Sequence, residues 1–390
     1  MNIPKLRFKD NNGNDYPQWE KKLIKDILKI YHGKDYKNEP NEKKLYPVLG
    51  TGGIITYIDK FLCDWECVLI GRKGTINKPQ YMKTPFWSVD TLFYSKPKLK
   101  QNPKFQYYLF QNINWKIYDE STGVPSLSAS TIEHINRFIP TYAEQEKIAS
   151  FFSTIDKKIK NLANTITSLE NQKKGLLQQI FSQKLRFKDK NGNNYPNWEK
   201  KKLGDIATLK NGISKSNEAF GHGKKFINLQ DIFNKSYIFN DNYSLVDVTE
   251  KELSENNLLK GDVLFVRSSV KREGVGLPCV IMENLIDTVY SGFIIRCRFN
   301  INENIYLHYK KYCFLEFSFR KALLKKSSSS ANTNINQDNL SKLYVKLPCL
   351  EEQTKIADFL SAFDRKLENQ KAQLEHWQQI KKGLLQQMFV

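Results

Sequence analysis

The sequence predicts a mixed α/β (α+β) protein built as an internal repeat, in which two globular domains are separated by two long helices. Two observations predict this: two blocks of sequence each occur twice in the 390 residues, and a heptad pattern of apolar residues follows the second block. We place the first domain at residues 1–140, the central helix at 141–184, the second domain at 185–347 and the C-terminal helix at 348–390.

The first repeated block opens each half of the chain. Leu-Arg-Phe-Lys-Asp at residues 6–10, followed by Trp19, returns at residues 185–189, followed by Trp198. The segment after this block is longer in the second half and shares little sequence with its counterpart. The two halves are alike at their ends and differ in their middle segments, which indicates a duplicated domain with two different middle segments. The repeat is too long to be the unit of a solenoid.

The helices are predicted from the spacing of apolar residues after Pro140. These residues recur in alternating steps of four and three, which is the a/d pattern of a coiled coil. The predicted seam residues are Ile155, Ile159, Leu162, Ile166, Leu169 and Leu176 in the central helix and Phe363, Leu367, Leu374, Trp377 and Leu384 in the C-terminal helix.

Each seam needs an apolar partner, and the other helix is the nearest one. We therefore expect an antiparallel pair within the chain, with the globular domains at opposite ends of a rod. Two alternatives remain open: each helix packs on its own domain, or the pair mediates dimerisation. Lys173 and Lys381 interrupt the two seams at matching positions. They either extend out of the seam, fix its register or belong to a solvated edge.

The middle segments are predicted to be mixed α/β, with short strands near residues 67–70, 263–266 and 292–295. The first two strands end in basic turns, and Ser126-Leu127-Ser128 in the first half matches an Asn-rich segment in the second. Backbone N–H groups and guanidinium groups suit phosphates or guanine, and Asn and Gln suit adenine. The candidate contacts are Arg72, Lys73, Thr75, Arg267, Ser268, Ser269, Lys271, Arg272, Asn334, Asn336 and Gln337.

Two alternatives apply to these segments. For each basic turn taken alone, the alternative is a surface hairpin with solvated lysines, and the presence of such a turn at the same place in both halves makes this alternative weaker. The polar run at residues 325–330 is predicted to be a loop of the same character as the basic turns, with a mobile linker as the alternative.

Composition favours nucleic acid as a partner. The net charge is +20, and Lys and Arg outnumber Asp and Glu in both halves, although an AT-rich genome would also enrich Lys.

No apolar stretch is long enough to span a bilayer, and the N-terminus lacks the apolar core of a signal peptide. The six cysteines keep no partner across the repeat. We therefore expect a cytoplasmic protein with free thiols.

The sequence contains no convincing catalytic or metal-binding pattern. The five histidines lack metal-ligand spacing, Cys63 and Cys67 have no second pair, and no Walker loop is present. Asn102-Pro103-Lys104-Phe105 is close to the Asn-Pro-Pro-Phe motif of amino-methyltransferases but lacks its second proline. We interpret it as a loop, and we expect no catalytic residue, metal or cofactor in this chain.

Three features together resemble the specificity (S) subunit of type I restriction-modification systems. They are the repeated Trp-Glu at Trp19 and Trp198, the strand Val-Leu-(Ile/Phe)-x-Arg that ends at Arg72 and Arg267, and the helix start Glu-Gln-x-Lys-Ile-Ala-x-Phe at 144–151 and 352–359. The resemblance covers nearly the whole chain. The repeated helix start is specific, whereas the basic turns alone are weakly specific.

The resemblance implies two target-recognition domains that each read one half of a bipartite DNA sequence. It also implies two modification subunits, which bind S-adenosylmethionine and methylate adenine N6, and two restriction subunits, which use ATP and Mg to translocate and cut. Two other readings remain: a related specificity chain serving a fused nuclease-methyltransferase, and a non-DNA scaffold whose rod spaces two protein-binding modules.

Overall fold

The structure is a computed structural model that describes residues 4–329 and 331–389. Its α-helices are α1 Ile24–Ile27, α2 Pro103–Asn112, α3 Ala129–Glu133, α4 Tyr142–Phe181, α5 Leu203–Ile206, α6 Leu229–Ile232, α7 Glu250–Glu255, α8 Tyr309–Leu315, α9 Phe317–Lys326, α10 Gln337–Ser341 and α11 Leu350–Met388. The two long helices, α4 and α11, begin one and two residues after the predicted starts at 141 and 348.

The strands fall into two series, one in each half. Those of the first half are β1 Glu20–Leu23, β2 Leu28–Tyr31, β3 Tyr46–Gly50, β4 Gly53–Ile58, β5 Cys67–Gly71, β6 Gln80–Met82, β7 Trp87–Ser88, β8 Leu92–Pro97 and β9 Asn136–Ile139. Those of the second half are β10 Glu199–Lys202, β11 Ala207–Asn211, β12 Phe220–Ile227, β13 Tyr237–Ile238, β14 Ser244–Val246, β15 Val263–Val266, β16 Ser268–Ser269, β17 Pro278–Ile281, β18 Thr288–Tyr290, β19 Ile294–Phe299, β20 Ser328–Ser329, β21 Thr333–Asn334 and β22 Tyr344–Leu347.

The chain divides into two compact units, and both divisions fall inside a long helix. One unit holds the described residues before Ile166 together with those after Asn369, and the other holds Ile166–Asn369. Each unit therefore contains one globular domain, one part of α4 and one part of α11.

The two domains share one plan of sheets. In the first unit, β1 pairs with β9, a four-stranded sheet has the order β2-β8-β5-β6, and a three-stranded sheet has the order β4-β3-β7. In the second unit, β10 pairs with β22, a five-stranded sheet has the order β11-β19-β15-β17-β13, and a three-stranded sheet has the order β14-β12-β18. A small sheet β16-β21-β20 is added in the second unit. The mixed α/β prediction is confirmed.

In each unit α4 packs against α11 in an antiparallel sense. In the first unit, Phe152 of α4 lies 6.2 Å from Phe389 between ring centroids, and the later Asp156 pairs with the earlier Lys381. In the second unit, Lys173 of α4 pairs with Asp364 of α11. Helix pairing within the chain is therefore confirmed.

The predicted seam residues lie on the covered faces of the two helices. Ile155, Leu162, Ile166 and Leu169 are buried, and the other seven are half-buried. The hydrophobic cores also take Leu177 and Leu385, each one residue beyond a predicted seam leucine.

Three local predictions were wrong. Residues 102–105 are the start of α2 and not a loop, because Asn102 accepts a hydrogen bond from the Phe105 N–H at 2.9 Å and Pro103 fits the first helical position. Gly292 and Phe293 form a turn before β19.

The third error is the polar run at 325–330. Lys325 and Lys326 end α9, and the run continues into β20, because buried Leu323 and the ladder to β21 fix this segment. Ser330 lies outside the described residues.

Within the described ranges, no helix is long and apolar enough to cross a membrane.

Candidate nucleic-acid interface

The two repeated blocks of sequence contact each other through a buried carboxylate. Glu144, near the start of α4, has a fully buried side chain that accepts two hydrogen bonds from the Arg7 guanidinium, at 2.7 and 3.0 Å. It also accepts a hydrogen bond from the Trp19 indole N–H at 3.0 Å. In the second half, Glu352 accepts from Arg186 at 2.7 and 3.2 Å and from Trp198 at 2.9 Å.

The next residue of each helix start holds the globular domain. The Gln145 side-chain oxygen accepts a hydrogen bond from the Asn102 N–H at 3.0 Å, and its nitrogen donates to the Pro140 carbonyl at 3.0 Å. In the second half, Gln353 accepts from the Tyr306 N–H at 2.9 Å and donates to the Pro348 carbonyl at 2.9 Å. The repeated Glu-Gln is thus a structural joint between helix and domain.

The lysines that interrupt the seam are ion-paired across it. Lys381 lies 2.7 Å from Asp156, which also accepts a hydrogen bond from the Tyr108 hydroxyl at 2.8 Å. The equivalent cluster in the second unit joins Lys173 and Tyr312 to Asp364. Of the three predicted roles, fixing the register fits these half-buried pairs.

The second cluster has one additional cation. Lys311 donates to Asp364 at 2.6 Å, and its side chain is almost fully buried. Burial alone would raise the pKa of the Asp364 carboxyl, but Lys311 and Lys173 together hold that pKa below its usual value. The carboxylate is therefore ionised inside the helix pair.

The two domains hold one arginine in the same backbone setting. Arg72 follows β5; its N–H donates to the Thr91 carbonyl at 2.8 Å, and its carbonyl accepts from the Leu127 N–H at 2.9 Å. Its guanidinium donates to the Asp90 carbonyl at 3.3 Å. Arg267 follows β15 and makes the same three contacts, with Phe293 at 2.9 Å, Ile335 at 3.0 Å and Gly292 at 2.9 Å.

The turn after Arg72 brings the predicted residues of the first half together. Lys73 forms a β-bridge with Ser126, so the turn lies beside the Ser-Leu-Ser segment, and the Lys73 side chain is exposed. Thr75 is half-buried, and its carbonyl folds back over Gly71. A Cβ at Gly71 would lie 2.2 Å from the Thr75 oxygen, so the turn requires glycine there.

The second half brings its predicted residues together through the small sheet. Ser268 pairs with Asn334 in the β16–β21 ladder, so the basic turn and the Asn-rich segment are neighbours. Ser268 and Ser269 have buried side chains, whereas Lys271 and Arg272 are exposed. Contact with nucleic acid stays a prediction for all of these residues.

All three predicted amide residues have structural partners. Asn334 donates from its side-chain nitrogen to the Asn332 carbonyl at 3.0 Å. Asn336 caps α10 by accepting from the Asn339 N–H at 2.8 Å. Gln337, with its amide oriented to suit its neighbours, accepts from the Asn211 N–H at 2.6 Å and donates to the Leu209 carbonyl at 3.2 Å. Ser128 caps α3 as Asn336 caps α10, which explains why Ser and Asn stand at matching positions.

One supporting residue has no signal in the sequence. Arg320 of α9 donates to the Glu273 carbonyl at 2.8 Å and so supports the turn that carries Lys271 and Arg272. Burial lowers the pKa of this arginine to about 10.

Within residues 4–329 and 331–389, no three His, Cys, Asp or Glu side chains lie close enough to hold a metal ion.

Comparison with known proteins gives one consistent family. The model of the type I restriction modification DNA specificity domain matches twice, at residues 16–171 and 195–376. The MjaVIII specificity subunit of Methanocaldococcus jannaschii is 24% identical over an alignment 420 positions long, which spans 97% of this chain and 94% of that protein.

Two solved structures share the fold. The S subunit of a type I restriction-modification system from M. genitalium superposes with a TM-score of 0.62 at 17% identity, covering 100% of this chain and 99% of that one. A chain from a structural study of complex assembly and conformational transition in a type I R-M system has a TM-score of 0.57 at 14% identity, with 96% and 98% covered. The chain therefore belongs to the type I restriction-modification DNA specificity family and carries one copy of the family's domain in each half.

Proposed function

We propose that this chain directs a type I restriction-modification complex to DNA, with each domain reading one half of a bipartite sequence. The observation that carries the proposal is the matched setting of Arg72 and Arg267 in two domains whose middle sequences diverge. The three backbone contacts are the same, while the residues around them differ. Two domains that recognise different sequences require this combination: the same backbone contacts hold the arginine, and different residues surround it.

The chemistry of the two arginines supports this assignment. Each guanidinium uses one nitrogen to donate to a backbone carbonyl, and among the described residues neither has a carboxylate within ion-pair distance. A guanidinium has five N–H donors, so each retains donors for a ligand. Its fork matches the O6 and N7 acceptors of guanine or two phosphate oxygens.

Replacing Arg72 with alanine is expected to weaken DNA binding by about 1–3 kcal/mol and to relax specificity in one half-site, if the guanidinium contacts a guanine edge. A contact to phosphate would instead lower affinity for all sequences and reduce the salt slope by about one. Binding isotherms at several salt concentrations, made on the complex with its modification subunits, distinguish these results.

Arg137→Ala is the matched control, because Arg137 of β9 also donates to a backbone carbonyl but lies outside the basic turn. Arg267→Ala should act on the other half-site. If Arg72→Ala leaves both the affinity and the salt slope unchanged, the turn is an ordinary surface hairpin.

The duplicated frame also suggests the composition of the complex. Because the blocks around Glu144 and Glu352 are the same, we expect each to be part of a docking surface for an identical modification subunit. These partners would carry S-adenosylmethionine and methylate adenine, and two restriction subunits would use ATP and Mg to cut, all in the cytoplasm. A mass measurement at saturation should show two modification subunits for each chain, and a stable one-to-one complex would contradict this.

A further inference from the structure

Two exposed apolar side chains border the basic turn of the second domain. Val270 is 84% exposed and Phe293 is 60% exposed. They line one depression of about 480 Å³, whose apolar wall also includes Leu229 and Phe233 and whose rim includes Lys271. Single exposed apolar residues are common on proteins, but two that share one depression beside a proposed binding turn indicate a binding function.

The depression is attached to the arginine that the proposed function brings to DNA. The Arg267 N–H donates to the Phe293 carbonyl at 2.9 Å, and the Arg267 guanidinium donates to the carbonyl of the preceding Gly292 at 2.9 Å. On the other side, Val270 directly follows buried Ser269 and precedes exposed Lys271 and Arg272. An occupant of the depression would therefore lie beside the arginine.

Charge limits the choice of occupant. Lys271 lies on the rim, and Arg267 and Arg272 are neighbours in sequence of the lining residues. Among the residues that the structure describes, none of the three has a carboxylate at ion-pair distance, so the surroundings of the depression suit a polyanion. Phosphates would leave Val270 and Phe293 without an apolar partner. In the major groove the apolar group that distinguishes a base pair is the C5 methyl of thymine.

We propose that Val270 and Phe293 hold the C5 methyl group of a thymine, so that the second domain requires an A·T pair at one position of its half-site. This inference rests on the proposed function. It applies to the second domain alone, because Thr91 occupies the backbone position of Phe293 in the first domain and the turn there reads Arg-Lys-Gly-Thr.

Deoxyuridine tests the proposal, because it lacks only that methyl group. The bipartite sequence is first determined by methylome sequencing, and each thymine in both half-sites is then replaced in turn. With the wild-type chain in complex with its modification subunits, one replacement in one half-site should weaken binding about fourfold, as expected for loss of one buried methyl group.

Variants show whether Val270 and Phe293 read the methyl group. Val270→Ala and Phe293→Ala should weaken binding to thymine DNA and reduce or remove the difference between thymine and uracil at that position. Ile301→Ala is the matched control, because Ile301 is 99% exposed in the same unit and is not part of the depression. This variant should retain the full difference.

Two results would overturn the proposal. They are a wild-type complex indifferent to uracil at every thymine position of both half-sites, and alanine variants that lose equal affinity for thymine and uracil DNA, as a wedge between base steps would. A wild-type complex that methylates no bipartite sequence would instead overturn the proposed function, and that measurement comes first.

Discussion

A chain in which Glu20–Ile139 is replaced by its own Glu199–Leu347 is expected to methylate a sequence whose two halves both carry the bases now read by the second domain. Each segment begins and ends on a two-stranded ladder, with Glu20 opposite Ile139 and Glu199 opposite Leu347. The two junctions of each segment therefore lie opposite each other in one ladder, at equivalent positions in the two units. The exchange leaves the repeated blocks intact.

Helix α4 provides the hydrogen-bond acceptors that the transplanted segment needs. In its own unit the second segment donates from Tyr312 to Asp364 and from the Tyr306 N–H to Gln353. The first unit presents Asp156 and Gln145 to the equivalent donors. Methylome sequencing measures the outcome, and the reciprocal exchange should duplicate the other half-site. Methylation that keeps the original sequence would contradict the assignment of one half-site to each domain.

Glu352→Ala is expected to destabilise the second unit by about 3–5 kcal/mol. The substitution removes the only ion-pair partner that Arg186 has among the described residues and leaves the Trp198 indole N–H without its acceptor. Breaking a buried pair by removing one partner leaves an uncompensated charge, and this is the costly case. Hydrogen exchange of the full chain measures the effect and locates it.

Glu351→Ala is the control, because Glu351 is the neighbouring glutamate of α11 and its side chain is exposed. Its effect should stay within about 0.5 kcal/mol. Glu144→Ala should give the same loss of protection in the first unit. Equal loss of protection in both units after Glu352→Ala would show that the carboxylate supports more than its own joint.

The long helices and the duplication could be predicted because their signals are local. A heptad pattern reports its own period, and β15 was predicted residue for residue because four buried apolar residues lie between turn residues and an arginine. The pairing of the two helices was predicted from their seams, but individual side-chain partners distant in sequence could not be predicted. Arg7 and Glu144 are 137 positions apart, and the repeat shows that each recurs without showing that they meet.

Prediction of the candidate site was limited by burial. The basic turns were found from composition, but the β16–β21 ladder buries Ser268 and Ser269, which composition alone cannot show. Val270 and Phe293 were missed for the opposite reason. Apolar residues in a β-rich segment are expected in the core, and only the fold shows that these two are exposed.

The contacts of the helix pair join one repeat to the other. Phe181, at the end of α4, packs on Trp198, and Phe389, after the end of α11, packs on Trp19. The lysine of each helix pairs with the aspartate of the other. Two identical chains of one repeat each could therefore form these contacts symmetrically, as a homodimer reading one half-site twice. Joining two such genes end to end would keep these helix contacts and allow the two copies to diverge. A palindromic recognition sequence would then become one with two independent halves.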